Sequence, residues 1–194
     1  MEPLTVHWRR ADEPAAAHDL AHALLGPDRY ARTRGVAQQA ARLARAAHLD
    51  RQARRRLLAC AWLHDLGAAL GPGLPPVVAG RALRRAGHED LARVVAHRGN
   101  AAFEAALRDL PPLAREFPPP RGAERSLLTL LDIAVLTTGP DGARATPAAV
   151  LRRIVEEEGG AAGPQARVVV ALVARLGDDP GARALLERVA PRAA

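Results

Sequence analysis

The sequence predicts a single all-α domain. Apolar residues recur with helical period in most segments, and an alternating strand pattern is almost absent. Glycine and proline separate these segments, and 194 residues suit one domain with a sizeable core. Aromatic residues make up only 3% of the chain, so leucine, valine and alanine must fill that core. We therefore expect a helical bundle in which small side chains allow close approach of the helices.

Capping residues and helix breakers predict the helix boundaries. Asp28 and Asp50 are suitable N-cap residues, and Thr146-Pro147 combines a cap with a proline at the first helical position. A Gly-Pro cluster over 71–76 and a Pro-rich loop over 111–122 interrupt the helical pattern. The predicted helices cover, in order, 15–25, 29–48, 51–69, 77–86, 88–98, 100–109, 124–137, a segment from Pro147 to the Gly159-Gly160 stop, 164–176 and 180–189.

Composition restricts the class of partner and the compartment. The net charge is +7 and every basic residue is arginine, as in proteins from GC-rich genomes. The arginines are dispersed and no aromatic platform lies among them, which argues against nucleic-acid binding. The single Cys60 excludes an intramolecular disulfide and suggests a reducing compartment. No segment has signal-peptide or membrane-spanning character, so we expect a cytoplasmic protein without a membrane partner.

Residues 61–67 read A-W-L-H-D-L-G and place two polar side chains inside an apolar run. His64 and Asp65 both fall on inward-facing stripes of the predicted helix. A buried carboxylate without a partner is costly, so something must bind Asp65. The partner is either a metal ion or another side chain.

The segment L-H-D-L-G resembles the signature of the HD superfamily of metal-dependent phosphohydrolases. The segment R-Y-A-R-T-R-G-V-A-Q-Q-A-A-R-L-A over 29–44 is similar to the first core helix of that family, and V-V-A-H-R-G-N-A-A-F-E-A over 94–105 to a later helix that bears histidines. T-T-G-P-D-G over 137–142 is similar to the end of the last motif helix in a bacterial subgroup. The resemblance implies an HD-domain-like helical core over 28–158. A segment with a short helix precedes it over 1–27, and C-terminal helices over 159–194 pack on the same domain.

The resemblance also implies a divalent metal such as Mn, Fe, Mg or Zn. In the family a histidine on the first helix, the His-Asp pair and a later aspartate hold the ion, which activates water for attack on a phosphate ester. His64 and Asp65 match the catalytic pair, and His97 matches one of two neighbouring histidines. Four family positions differ. The first histidine is replaced by Arg32, a histidine between the second and third motifs falls on or near Pro75, the second neighbouring histidine is replaced by Arg98, and the last aspartate by Val135.

Asp132 is a candidate replacement for the lost aspartate. It precedes Val135 by three residues, so the two share nearly the same face of a helix. With His64, Asp65 and His97 it would give a metal site of two histidines and two aspartates. Alternatively, Asp132 pairs with an arginine, for which Arg32 and Arg98 are candidates.

Arg32 lies four residues before Val36 on the buried stripe of its helix. We expect it to take the electrostatic place of the metal and to bind Asp65 through a bidentate contact. If Arg98 also points inward, the former metal pocket becomes cationic and can bind an anion such as a phosphorylated small molecule or a nucleotide.

Three functions agree with these patterns. The first is an HD-domain protein, a pseudoenzyme with reduced or lost hydrolase activity that binds an anionic ligand. The second is an active metal-dependent phosphohydrolase in which Asp132 and His97 complete a rearranged site. The third is a non-catalytic regulatory or protein-interaction module in which the pocket is only structural.

Overall fold

The computed structural model describes residues 2–189, with side chains from residue 6 onward. This part of the chain is helical and contains no β-strand, which confirms the all-α prediction. Met1 and residues 190–194, which belong to the predicted terminal segments, lie outside the described residues. The helices are α1 (Glu2–Arg9), α2 (Pro14–Leu24), α3 (Pro27–Ala46), α4 (Arg51–Leu63), α5 (Gly67–Leu70), α6 (Pro75–Arg85), α7 (Glu89–His97), α8 (Ala101–Leu107), α9 (Gly122–Leu136), α10 (Pro147–Glu157), α11 (Pro164–Gly177) and α12 (Pro180–Val189).

Two of the three predicted caps are present. The Asp50 side chain accepts a hydrogen bond from the backbone N–H of Ala53 at 2.8 Å, and Thr146 accepts one from Ala149 at 3.1 Å. Asp28 does not cap α3, because the helix already begins at Pro27 with Gly26 as the cap. Proline fits the first helical position, and the carboxylate of Asp28 then lies in the first turn, where the helix dipole favours a negative charge.

The helix predicted over 51–69 is interrupted at the His-Asp pair. Helix α4 ends at Leu63, and the chain passes through a tight turn before α5 begins at Gly67. A Cβ atom at Gly67 would lie 1.8 Å from the carbonyl oxygen of Pro75, so only glycine permits this contact with the start of α6. Helical periodicity predicts neither the break after Leu63 nor this contact between α5 and α6. Helix α1 was also not predicted.

The core lies where α3, α4 and α9 pack against one another, with α7 alongside. Val36, Leu43, Leu57 and Leu131 are fully buried there. Helices α6 and α7 form a hairpin whose close approach depends on Gly80, because a Cβ at that position would lie 2.9 Å from the Cβ of Ala96. The small side chains thus bring the helices close together, as their abundance predicts.

The last three helices pack on this core and close one side of a cavity. Helix α11 contacts α8 and the turn over 98–100, whereas α12 contacts α3 and α9. The loop between α9 and α10 lies against α3, where a Cβ at Gly35 would come within 2.5 Å of the Cα atom of Gly142. This contact holds the loop between α9 and α10 against α3, which contributes Arg29 and Arg32 to the lining of the cavity. None of the described helices is both long enough and apolar enough to cross a bilayer.

Candidate functional site

A cavity of about 580 Å³ lies between α3, the turn over 98–100, α10 and α11. Aliphatic side chains and charged side chains share its lining. The charged residues are Arg29, Arg32, Arg98, Arg108, Arg153, Glu104, Glu157 and Glu158. Both arginines that were expected at an anion site, Arg32 and Arg98, therefore face the same space.

Asp65 lies directly behind this lining, and its side chain is only 6% exposed. Its two carboxylate oxygens accept from different arginines, Oδ2 from Arg29 Nη1 and Oδ1 from Arg98 Nη2, each at 3.2 Å. Burial alone would raise the pKa of the Asp65 carboxyl group, but the positive charges of Arg98, Arg32 and Arg29 hold it below its usual range. Asp65 is therefore an ionised carboxylate shared by two guanidinium groups.

Arg32 does not bind Asp65, contrary to the prediction. Arg29 lies one turn earlier on the same face of α3 and, together with Arg98, already occupies both carboxylate oxygens. Arg32 makes no hydrogen bond within the described part of the chain, and its buried Nε atom lacks a partner. Burial and the charge of Arg98 lower the pKa of the Arg32 guanidinium, while Asp65 opposes this shift. Arg32 is thus an inward-facing cation that forms no ion pair with residues 6–189.

His64 is a neutral imidazole in this environment. Its Nδ1 atom lies 2.8 Å from the carbonyl oxygen of Ala61, and a carbonyl only accepts, so Nδ1 carries the proton and donates. The Nε2 atom is buried and has no hydrogen-bond partner in the part of the chain that the structure describes. Burial and the charge of Arg98 lower the pKa of His64 to about 3. The backbone carbonyl of His64 accepts a hydrogen bond from Arg98 Nε at 2.8 Å and so helps to orient that arginine.

Asp132 pairs with an arginine, which was one of its two predicted roles. That arginine is Arg175 of α11 and not Arg32 or Arg98. The second carboxylate oxygen of Asp132 accepts from the backbone N–H of Gly99 at 2.6 Å. Burial raises the pKa of the fully buried Asp132, while Arg175 and the Gly99 N–H oppose the shift. Gly99 has a φ of 62°, and its bond to Asp132 fixes the turn that carries Arg98. Asp132 therefore acts on the cavity indirectly, by holding Arg98 in place.

His97 has a hydrogen-bonding role. Its Nε2 atom lies 2.9 Å from the carbonyl oxygen of Phe117, so the ring ties the end of α7 to the Pro-rich loop. Partial burial lowers the pKa of His97, while the bond to Phe117 opposes this shift.

The side chains at this site do not fit the divalent metal that the sequence resemblance implies. His64, Asp65, His97 and Asp132 do not converge, and residues 6–189 contain no group of three His, Cys, Asp or Glu side chains placed to hold an ion. Both oxygens of Asp65 and both oxygens of Asp132 already accept hydrogen bonds. The free Nε2 of His64 lies in the field of Arg98 and Arg32, which repels a cation.

Arg153 of α10 is a second cavity arginine with an unmet donor. Its Nη1 atom donates to Glu157 at 2.7 Å, but its buried Nε atom has no partner. Arg153 is near enough to Arg32 for its charge to lower the pKa of the Arg32 guanidinium. Sequence reasoning missed Arg29, Arg153 and Arg175. Only Arg29 carried a usable signal, because a three-residue step places it on the face of Arg32.

The acidic residues of the cavity are engaged by protein donors. Glu104 accepts from Arg108 at 2.5 Å and from Gln165 at 2.7 Å. The carboxylate of Glu158 accepts from the backbone N–H groups of Gln165 and Ala166 at the start of α11. The cavity residues with unpaired hydrogen-bond donors are thus arginines, and a ligand that supplies acceptor atoms can satisfy them.

Comparison of the chain with models of known families, with curated proteins and with solved structures finds no match. Function is therefore inferred from the side chains of the cavity and from their contacts.

Proposed function

We propose that this chain is an HD-domain-like protein that binds a phosphorylated anion in its cavity and does not hydrolyse it through a metal ion. The observation that carries the proposal is Arg32, a half-buried arginine that faces the cavity, makes no hydrogen bond among the described residues and has a buried Nε atom without a partner there. A buried donor without a partner costs about 1–3 kcal/mol, and the neighbouring guanidinium groups add repulsion. An anion in the cavity removes that cost.

The charge balance around Arg32 supports an anionic ligand. Four guanidinium groups surround this end of the cavity, those of Arg29, Arg32, Arg98 and Arg153. Two carboxylates oppose them, Asp65 and Glu157, and Arg29 and Glu157 are each 58% exposed, so solvent screens both of these charges. An excess of about two positive charges remains, and arginine binds phosphate oxygens through paired N–H donors.

The same contacts argue against metal-dependent hydrolysis. An active site built on His64, Asp65, His97 and Asp132 would require Asp65 to leave two arginines and Asp132 to leave Arg175 and Gly99. It would also place a dication among guanidinium groups. The arginines take over the neutralising role that a metal ion has in the family, and they bind an anion without activating water.

The proposal is tested by anion binding to the purified chain. We expect about 10 mM inorganic phosphate to raise the melting temperature of the wild type by several degrees. For a Kd of about 0.1 mM this concentration is a hundred times the Kd, and the ligand then stabilises the fold by about 2.7 kcal/mol. The Arg32→Gln variant is expected to lose at least about tenfold in affinity, as the loss of a charge-assisted contact implies. Arg34→Gln is the matched control, because Arg34 is an exposed residue on the same helix.

Phosphate also stabilises proteins without a specific site, so the comparison between variants decides the result. Equal shifts in Arg32→Gln and Arg34→Gln, or no shift in the wild type, would refute the proposal. Hydrolysis of p-nitrophenyl phosphate that depends on added manganese and is lost in Asp65→Asn would favour the active phosphohydrolase instead.

A further inference from the structure

The cavity is larger than an inorganic anion requires. Its volume of about 580 Å³ falls within the range of about 300–1,000 Å³ that is typical of sites for organic ligands. The arginines with unmet donors occupy only part of its lining. The remainder of the space must therefore suit the organic part of a ligand.

The rest of the lining is mainly aliphatic. Helix α10 contributes Val150 and Ile154, α11 contributes Val168 and Leu172, and the end of α9 contributes Val135. Ile154 is only half-buried, so part of its side chain is free to contact a ligand. No phenylalanine, tyrosine or tryptophan lines the cavity in the described part of the chain. A planar nucleobase usually binds against aromatic rings, whereas an alkyl chain needs only aliphatic contacts.

The two kinds of lining adjoin each other on one helix. Arg153 and Ile154 are neighbours on α10, and both face the cavity. A ligand whose phosphate contacts Arg32 and Arg153 can therefore extend its carbon skeleton directly along Ile154 and Val168. The charge excess at the arginines suits a phosphomonoester, which carries about −1.5 to −2 at pH 7, better than a singly charged diester.

We infer that the ligand is an aliphatic phosphomonoester, not a nucleotide, with its phosphate at Arg32, Arg98 and Arg153 and its alkyl chain along the wall of α10 and α11. This inference rests on the proposed function, because it assumes that the arginines bind phosphate. It adds the identity of the organic part and sets this chain apart from a nucleotide-binding protein.

The inference is tested with a probe series on the wild-type protein, measured by calorimetric titration. The probes are inorganic phosphate, methyl phosphate, butyl phosphate, hexyl phosphate and adenosine monophosphate. We expect affinity to rise with chain length, with hexyl phosphate at least about tenfold tighter than inorganic phosphate, because each buried methylene adds favourable transfer free energy. Adenosine monophosphate is expected to bind more weakly than hexyl phosphate.

A variant pair then locates the alkyl chain. Ile154→Asn is expected to reduce hexyl phosphate affinity by about fivefold or more while leaving inorganic phosphate affinity within about twofold, because a polar amide disrupts only the apolar contact. Val155→Asn is the control, since Val155 is half-buried on the same helix and does not line the cavity. If Ile154→Asn fails to fold, the chain-length series on the wild type still decides the question.

The possible failures can be told apart. If inorganic phosphate binds in an Arg32-dependent manner but chain length has no effect, the aliphatic assignment is wrong and the proposed function stands. Adenosine monophosphate binding as tightly as hexyl phosphate would likewise overturn the aliphatic assignment alone. If no phosphate probe binds, or if hexyl phosphate binds equally well to Arg32→Gln, both proposals are wrong.

Discussion

Replacing Arg32 with methionine separates the cost of its buried charge from its role in binding. Arg32 makes no hydrogen bond among the described residues, so its removal breaks no hydrogen bond or ion pair in that part of the chain. Asp65 keeps both of its partners, Arg29 and Arg98. Methionine retains an unbranched side chain of similar length and adapts to irregular apolar surroundings. The substitution therefore removes mainly the charge and the unmet donors.

The expected effect is an increase in stability without ligand. An unsatisfied buried donor costs about 1–3 kcal/mol, and replacing a buried charge with an apolar side chain of similar volume often stabilises by about 1–4 kcal/mol. The nearby Arg98, Arg153 and Arg29 add repulsion, whereas attraction to Asp65 reduces the gain. We expect Arg32→Met to raise the free energy of unfolding by about 2 kcal/mol, which corresponds to roughly 4–8 °C in melting temperature for a chain of this size.

The assay is urea and thermal unfolding in a phosphate-free buffer, with Arg34→Met as the control. Arg34 is exposed on the same helix, so its replacement should change stability by less than about 0.5 kcal/mol. Adding phosphate should then stabilise the wild type and the control more than it stabilises Arg32→Met. A loss of more than about 1 kcal/mol in Arg32→Met, with a neutral control, would show that Arg32 stabilises the unliganded fold and would refute the reasoning.

The other predictions concern the residues behind the cavity. His64 has a pKa of about 3 in the fold and about 6.5 when unfolded, so the unfolded state binds one more proton between these values, and stability decreases as the pH is lowered through this range. Between pH 7 and pH 5, the free energy of unfolding of His64→Gln in urea should therefore decrease by about 2 kcal/mol less than that of the wild type. Replacement of the exposed His48 by asparagine should leave the decrease as large as in the wild type. Arg175→Met leaves the buried Asp132 without its cationic partner and should destabilise by about 2–4 kcal/mol, with the exposed Arg167→Met as a near-neutral control; equal effects of the two would contradict the pairing. Millimolar manganese or zinc should leave the wild-type melting temperature unchanged, because arginines occupy the buried carboxylate oxygens, and stoichiometric metal in the purified protein would show a working metal site.

Much of the fold follows from local sequence signals. The period of the apolar residues, the caps at Asp50 and Thr146 and the Gly-Pro breakers predict most helices to within a few residues. The break after Leu63 is the main exception. Beyond this break Gly67 packs against the backbone of Pro75 at the start of α6, and a contact between two elements leaves no mark on the periodicity of either one.

The candidate site could be predicted only in part. Burial of His64, Asp65 and Asp132 follows from their positions in apolar helical segments, and the structure confirms it. Their partners were harder to predict, since Asp65 binds Arg29 and Arg98 instead of Arg32. Several arginines compete for each carboxylate in a chain so rich in arginine. The choice among them depends on distances of a few ångströms between helices.

The sequence by itself determined that the chain is helical, that it buries acidic and histidine side chains, and that those side chains need partners. These properties depend on local periodicity and on the cost of burying polar groups, both of which can be read one segment at a time. Only the tertiary structure decided that Arg32 has no hydrogen-bond partner within residues 6–189, that Arg175 from α11 neutralises Asp132, and that a cavity lies beside the arginines. Pairing between distant residues depends on how the helices pack, and electrostatic energy changes steeply over the few ångströms that packing sets.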